Sequence, residues 1–271
     1  MKKISLKIIV VLYNKRMGQS DSLLTLMKQD IDPNVVIYLD IHDNSPVSHI
    51  TSENIQLIKN TLKCEVNYNH DPSNSGISKI YANAIKSAAQ KSLDYVLMLD
   101  DDTCLPSSFI DTFYQAKLTN KSEYIFVPKV YCNENHFSPY RARFVFTKPY
   151  DSIGLAQFNN VSAINSGTFL PVNKIILEFR YPDYCDFYGT DTVLFEYANK
   201  KNIGIFVLDT ILHHDLSFHP DNTSKYLVSL DRVIKFWRRH YARGLSQLLL
   251  ELYLILLSVK LSIKYKRVIK L

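Results

Sequence analysis

The chain opens on an apolar run rich in β-branched residues, LKIIVVLY at residues 6–13. Such a run suits a strand covered on both faces, as in a parallel sheet. A helix is expected from about Ser20 to Lys28. Residues 35–41 (VVIYLDI) read as a second strand that ends at the turn His42-Asp43-Asn44-Ser45-Pro46, and residues 64–69 as a short third. After Asn74-Ser75-Gly76, the positions Ile77, Ile80, Tyr81, Ala84, Ile85 and Ala88 recur at helical spacing on one face. Residues 94–99 (DYVLML) make another buried strand. It stops at Asp100-Asp101-Asp102, and Pro106 is placed for the first turn of the next helix.

Strand and helix therefore alternate through the first 120 residues. That order predicts an α/β protein with an open, mostly parallel sheet and helices on both faces. Ligands bind such sheets beyond the carboxyl ends of the strands. Asn14, Asp43, Asn74 and the aspartate triplet should then converge on one edge. Residues 124–170 are less regular, with runs YIFVPKV, FVFT and SAINSGTFL between polar and proline-bearing loops. Mixed or antiparallel strands are expected there. Asp191 to Lys200 reads as a short helix, because Val193, Leu194, Tyr197 and Ala198 share a face. Residues 203–208 (IGIFVL) form a last buried strand, with His213-His214 a few residues beyond. The expected division is residues 1–220 as one α/β domain and 221–271 as C-terminal helices.

Composition narrows the chemistry. A chain of 271 residues, 46% hydrophobic and 21% charged, can bury one sizeable core. Seven glycines leave no glycine-rich phosphate cradle. Cys64, Cys104, Cys132 and Cys185 are widely spaced and form no CxxC pair, which argues against a zinc site and a disulfide framework. A reducing, cytoplasmic compartment is expected. The apolar run Ile8 to Leu12 is too short for a signal peptide and is followed by no cleavage site.

The net charge of +6 is unevenly placed. From Asp231 to Leu271 there are ten Lys/Arg against two acids, and the rest of the chain holds 22 against 24. Within residues 225–243, Tyr226, Leu227, Leu230, Val233, Ile234, Trp237 and Tyr241 fall on one face, and Arg232, Lys235, Arg239 and Arg243 form a basic stripe opposite. The following helix, residues 245–262, has an uncharged apolar run of only eight residues, Leu252 to Val259. A bilayer span needs about 20, so no span is expected. The pattern points instead to peripheral attachment at the inner face of the cytoplasmic membrane. The alternative is packing on the body of the protein or a homodimer through these helices. Nucleic acid is a poor partner for a near-neutral body with one short basic helix.

The triplet carries the most chemistry. Three acids at the end of an apolar strand sit in solvent or on a cation, because burying unpaired carboxylates costs several kcal/mol. Mg²⁺ and Mn²⁺ take oxygen ligands, typically one or two carboxylates with phosphate and water. Asp100 and Asp102, at i and i+2, share a face of extended backbone. The plain alternative is a helix N-terminus that favours acids. A sharper one is a haloacid-dehalogenase-type phosphohydrolase with Asp100 as nucleophile. Against it, Cys104 stands where Thr or Val belongs, and about three strands come first.

Taken in order, VVLYN (10–14), DNS (43–45), NSGISKIYANAI (74–85), LMLDDDT (97–103), INSGTFL (164–170), FYGTDTVLFEYANKKNIGI (187–205) and HHDLS (213–217) match a known pattern. The chain resembles family 2 (GT-A) glycosyltransferases, and among them the bacterial rhamnosyltransferase-like enzymes of surface polysaccharide synthesis. The resemblance implies a GT-A-like, Rossmann-like sheet and a sugar moved from a nucleotide-diphosphate donor, dTDP-rhamnose or a UDP-sugar, to a saccharide or lipid-linked acceptor. It implies that Asp43 contacts the nucleotide base. Tyr13, Asn14, Asn74, Gly76, Asp100 and Asp101 would lie at the donor. Asp102 would hold Mg²⁺ or Mn²⁺, His214 would add to metal or diphosphate binding, and Asp191 would be the catalytic base. Two departures stand out: D-D-D where D-Q-D is common, and Thr190 where another acid usually precedes the base. Asp186 is a second candidate base. A helix cap is the plain alternative for Asp191, and ordinary loop histidines for His213, His214 and His219. A non-catalytic nucleotide-sugar binding protein is a further alternative.

Overall fold

The computed structural model describes residues 3–132, 134–214 and 223–271, with the backbone alone for His214 and residues 223–225. The chain forms two units, Met1–Tyr181 with Thr190–Asp215, and Pro182–Gly189 with Leu216–Leu271. The segment Pro182–Gly189 thus groups with the C-terminal helices.

The elements of the first unit follow in chain order. They begin β1 (Ile4–Leu12), α1 (Asp21–Leu26), β2 (Val35–Asp43), α2 (Ser52–Leu62), β3 (Glu65–His70), α3 (Ile77–Gln90) and β4 (Tyr95–Asp100). Next come β5 (Thr103–Cys104), α4 (Phe109–Thr119), β6 (Ile125–Cys132), β7 (Asn135–Ser138), β8 (Tyr140–Arg143) and β9 (Phe146–Pro149). The unit closes with β10 (Gly154–Leu155), β11 (Val161–Ser162), β12 (Thr168–Pro171), α5 (Lys174–Glu178), α6 (Thr190–Lys200) and β13 (Ile205–His214). The main sheet runs β10-β13-β6-β12-β4-β1-β2-β3, with β5 on β13 and β7 on β6. Strands β4, β1, β2 and β3 pair in parallel, as the alternation predicts. Strand β12 runs antiparallel to both β4 and β6, so the second half is mixed, also as expected. Strands β11, β8 and β9 form a small separate sheet.

Burial explains the strands. Leu6, Ile8, Val10 and Leu12 of β1 and Val96 to Leu99 of β4 have no exposed surface. Lys7 is the exception within β1. It is 2% exposed, and its Nζ lies 2.5 Å from Asp40 of β2 and 3.1 Å from Ser87 of α3. A buried cation is tolerated only with such partners. Behind β4, Tyr95, Phe113, Phe126 and Phe169 interlock, with Phe113 stacked on Phe169 at 3.9 Å.

Two local expectations need correction, and two helices went unread. Helix α4 begins at Phe109, whose N–H donates to Pro106 O (3.0 Å), so Pro106 lies in the turn before it. Helix α2 packs Ile55, Ile58 and Leu62 on the core at helical spacing, and α5 is a five-residue turn that buries only Ile176. Their starts are set by caps: Thr51 accepts from Asn54 N, and Asn173 accepts from Ile176 N. Strand β13 continues through His213-His214, which pair with Cys104 and Thr103 instead of forming a loop.

The second unit holds α7 (Thr223–His240) and α8 (Gly244–Tyr265). Leu230, Ile234 and Phe236 are buried on α7. Phe236 lies over Gly189, where φ is +77° and a Cβ would come within 2.2 Å of the ring. Glycine is the residue that tolerates both conditions. Between the helices, Trp237 meets Tyr253 edge-on, and Arg238 grips Glu251 through two bonds of 3.0 and 3.1 Å. Helix α8 is longer than expected. By length and composition alone it is apolar enough to cross a membrane.

Candidate active site

The triplet turn sits where β4 leaves the sheet, and neighbouring segments clamp its backbone. Ser22, buried at the start of α1, donates to Asp100 O and accepts from Thr103 N (3.1 Å). Ser20 donates to Asp101 O at 3.0 Å. From the other side, Asp100 N–H donates to Ser166 Oγ (3.0 Å), which also bonds Thr103 Oγ1 (2.6 Å). The turn is therefore fixed before any ligand arrives.

The three carboxylates differ. Asp100 accepts the hydroxyl of Tyr81 at 3.0 Å. Burial, followed by the Asp100 charge, raises that buried phenol well above its ordinary pKa. Asp101 is committed to the loop after β1: it accepts from Tyr13 N (3.0 Å) and pairs with Lys15 at 2.7 Å. Burial pulls the Lys15 pKa down, but the bond to Asp101 and the charges of Asp101, Asp102 and Asp21 leave it raised. Asp102 is half-buried.

The loops after β1, β2 and β3 are stitched together beside the turn. Asn14, at φ +52°, donates its N–H to Ser45 Oγ (2.8 Å), and Asn44 Nδ2 donates to Ser75 O (2.9 Å). Asp43, expected at the base, has no exposed surface. Its oxygens accept from Ser45 N (3.0 Å) and Tyr68 OH (2.7 Å), so here it orders the loop from beneath. Burial and the bond to Asp43 push the Tyr68 hydroxyl up to about 12. Asn74 is exposed at φ +53°, and Gly76 is the N-cap residue of α3. Tyr13 is 48% exposed, a free aromatic face at this edge. Hydrogen bonds from Ser73 and Ser75 hold Asp71, in the same loop, far below the usual carboxylate range.

Asp191 lies in the first turn of α6. A dipeptide connects this turn to the triplet. Ser166 accepts from Asp100 N, and the neighbouring Asn165 donates Nδ2 to Thr190 Oγ1 at 2.8 Å. The register of β12 on β4, Thr168 against Met98, places this dipeptide at the end of β4. Gly167 completes the turn at φ +86°, where a Cβ would meet Leu212 at 2.6 Å. Burial raises the Asp191 pKa, bonds to the Thr192 and Asp191 backbone oppose this, and the Asp100 charge adds to the rise. Triplet and Asp191 thus occupy one edge of one unit. Asp186 is exposed and belongs to the other unit.

Among the described residues, no three His, Cys, Asp or Glu side chains are grouped to hold a metal. The set does fit a nucleotide-bound Mg²⁺ or Mn²⁺, which takes one or two carboxylates and completes its shell with phosphate and water. Asp100 and Asp102 offer that much. The side chain of His214 and all of residues 215–222, including His219, lie outside the described residues. Its backbone pairs with Thr103, one residue from Asp102.

The sequence reading missed Ser20, Ser22, Tyr81, Asn165 and Ser166. Their signal was weak: a serine-rich helix start, and one polar dipeptide inside INSGTFL.

No protein-family model matches this sequence, and no curated protein does either. Solved structures do. S. aureus TarS 1–349 superposes with a TM-score of 0.54 at 16% identity, over 90% of this chain and 73% of that one. A longer S. aureus TarS structure gives 0.52 at 17%, over 91% and 44%. TarS 1–349 in complex with UDP-GlcNAc gives 0.50 at 15%, over 90% and 74%. TarS is a glycosyltransferase. The fold is GT-A-like. At this identity the likeness speaks for the fold and not for donor, acceptor or metal.

Proposed function

We propose that the protein is a glycosyltransferase that moves a sugar from a nucleotide-diphosphate donor to an acceptor hydroxyl with inversion. One observation carries the reading. The Asn165-Ser166 dipeptide ties the aspartate turn to the N-terminus of α6, which brings the triplet and Asp191 to the carboxyl edge of a GT-A-like sheet. A structurally similar TarS structure is in complex with UDP, which supports a nucleotide ligand for this fold.

Two charge problems define the reaction. The acceptor oxygen attacks the anomeric carbon, and the bond from that carbon to the diphosphate oxygen breaks with its electron pair on the diphosphate. The acceptor proton must leave during the same step, and Asp191 is placed to take it. Burial and the nearby Asp100 raise its pKa, which makes it a better base than an exposed carboxylate. In-line displacement with one base and no acid is the inverting arrangement. Asp102 and Asp100 would hold Mg²⁺ or Mn²⁺, which neutralises charge on the departing diphosphate. Tyr13 offers an aromatic face to the nucleotide base. The Asn165 Oδ1 atom is buried with no hydrogen-bond partner. Buried acceptors are nearly always paired, and a sugar hydroxyl would satisfy this one once donor binding exposes it. The donor sugar is taken as rhamnose or an N-acetylhexosamine on dTDP or UDP, and the acceptor as a saccharide or lipid-linked saccharide of surface polysaccharide assembly.

A thermal-shift panel of UDP- and dTDP-sugars, with and without Mn²⁺, tests the proposal. One donor should raise Tm by several degrees, with the metal increasing the shift. Donor binding without hydrolysis or transfer to any saccharide would reassign the chain as a binding protein. A phosphohydrolase gains nothing from this fold. Trapping of an aspartyl-phosphate at Asp100 would restore that reading.

A further inference from the structure

Helix α8 is apolar on two opposite sides. Leu250, Leu254 and Leu261 are at most 4% exposed and form its inner face within the second unit. Leu245, Leu248, Leu249, Leu252, Ile255, Leu256, Val259 and Ile263 are all between 48% and 74% exposed. At about 100° per residue these eight fall within roughly one third of the circumference, directly opposite the inner face. An unbroken stripe of this length is a surface built for contact.

Charge selects the occupant. Residues 244–271 carry Lys260, Lys264, Lys266, Arg267 and Lys270 against one acid, Glu251. Glu251 is already held by Arg238. Lys260 and Lys264 are exposed at the margin of the stripe. A second copy of α8 laid against the stripe would bring only more lysines and no free acid to meet them. An anionic lipid surface supplies apolar depth under the stripe and negative headgroups beside it. The inner face decides the pose. The Arg238–Glu251 pair lies a third of the way along α8, and Arg238 Nη2 also donates to Leu271 O at 3.3 Å. A helix crossing the bilayer would drag this charged pair and the α7 residues with it into hydrocarbon, at high cost.

We infer that the outer stripe of α8 is a membrane-docking surface that lies in the interfacial plane of an anionic bilayer with its lysines on the headgroups. The surface stands independently of the glycosyl-transfer reading, and its test needs neither donor nor acceptor.

The test is flotation of the full chain with vesicles of phosphatidylglycerol and phosphatidylcholine in equal parts, and with phosphatidylcholine alone. Binding is expected to the mixed vesicles, with weaker binding to the neutral ones and a fall in high salt. The variant Leu248→Gln/Leu252→Gln/Leu256→Gln replaces exposed side chains, so helicity and Tm should hold while vesicle binding drops roughly tenfold or more. Lys260→Gln/Lys264→Gln should erase most of the preference for the anionic vesicles. Should the triple variant prove unstable, Leu252→Gln alone must still lower binding measurably. The inference is overturned by wild-type chain that ignores mixed vesicles, or by glutamine variants that float like wild type. Light scattering that shows a dimer lost in the triple variant, without vesicle binding, would assign the stripe to a second copy. Resistance to alkaline carbonate extraction would make α8 a span and overturn the flat pose.

Discussion

The turn at the end of β4 and the first turn of α6 both present aspartate at the same edge, yet the molecule treats them oppositely. At the triplet, the backbone is held by Ser20, Ser22 and Ser166, and Asp101 is paired with Lys15. At α6, Asp191 is desolvated near another acid and receives its bonds from the Asp191 and Thr192 backbone and the Thr192 side chain. Carboxylates that bind a cation gain from being fixed and supplied with neighbouring charge. A carboxylate that must accept a proton gains from poor solvation, which raises its pKa. Under the proposed function, the contrast suits binding at one turn and proton transfer at the other.

The sharpest way to break that contrast is Asp191→Asn. Transfer should fall by about 10³ or more, with donor affinity unchanged. Stability should move the other way. A raised carboxyl pKa means the fold prefers the protonated form, so this group's contribution is complete below the ordinary carboxylate value. It is lost as pH rises through the folded value. Asparagine imitates the protonated form, and Tm at neutral pH should rise by a few degrees, on the order of 1 kcal/mol. In the wild type, kcat should fall as pH drops through the raised pKa. Titrating transfer rate and Tm on both proteins checks all three, and near-normal turnover in the variant would remove Asp191 from the mechanism.

Next in size is Asp102→Asn. If the triplet binds and does not react, this variant should lose the Mn²⁺-dependent part of the donor-induced Tm shift and about 10² in kcat/KM. Its pH profile should keep the wild-type shape, because the base is untouched. A changed acid limb would mean that the two turns share the proton, and the division of labour would fail.

A smaller effect is expected from Asn165→Leu. It removes the unpartnered Oδ1 and the bond to Thr190 while keeping the volume. KM for donor should rise about tenfold if a sugar hydroxyl uses that oxygen, with kcat less affected. An unchanged KM with lowered kcat would show instead that Asn165 only positions α6.

Much of this edge was legible in the sequence. The strands β1 and β4 are apolar because both faces are covered, while β2 buries alternate positions, and a polar cluster at the end of such strands lies at the sheet's edge. The Asp100-Asp101-Asp102 turn and the loops at Asn14, Asp43 and Asn74 were found on that logic. What escaped were side chains whose purpose is set by tertiary pairing. Lys7 looks like an interruption in a strand until Asp40 of the next strand neutralises it. Ser166 is one serine among many until the antiparallel return of β12 sets it against Asp100. Asp43 is a nucleotide contact by resemblance, and the sequence did not show that Tyr68, on the neighbouring strand, donates to it. Helix α5, at five residues, is too short to leave a period, whereas Ile55, Ile58 and Leu62 of α2 carried one that went unread.

The smallest expected effect gives the finest test of the comparison. Lys15 is 29% exposed and Asp101 15%, and their ion pair is one of two ties on that carboxylate. The other, from Tyr13 N, survives any change at Lys15. If Asp101 is a brace for the turn, Lys15→Met should cost no more than about 1 kcal/mol of stability, as partly exposed pairs do. Transfer should change only a few-fold. The double variant Lys15→Met/Asp101→Asn should then be no worse than Asp101→Asn alone, since one pair is lost in either case. A Lys15→Met variant that folds normally but loses donor binding would place the ammonium on the diphosphate, and Asp101 would become the residue that holds a ligand-binding lysine in position. Calorimetric titration of the donor into the three variants separates these outcomes, because a brace alters the stability of the apo protein and a ligand contact alters the binding isotherm.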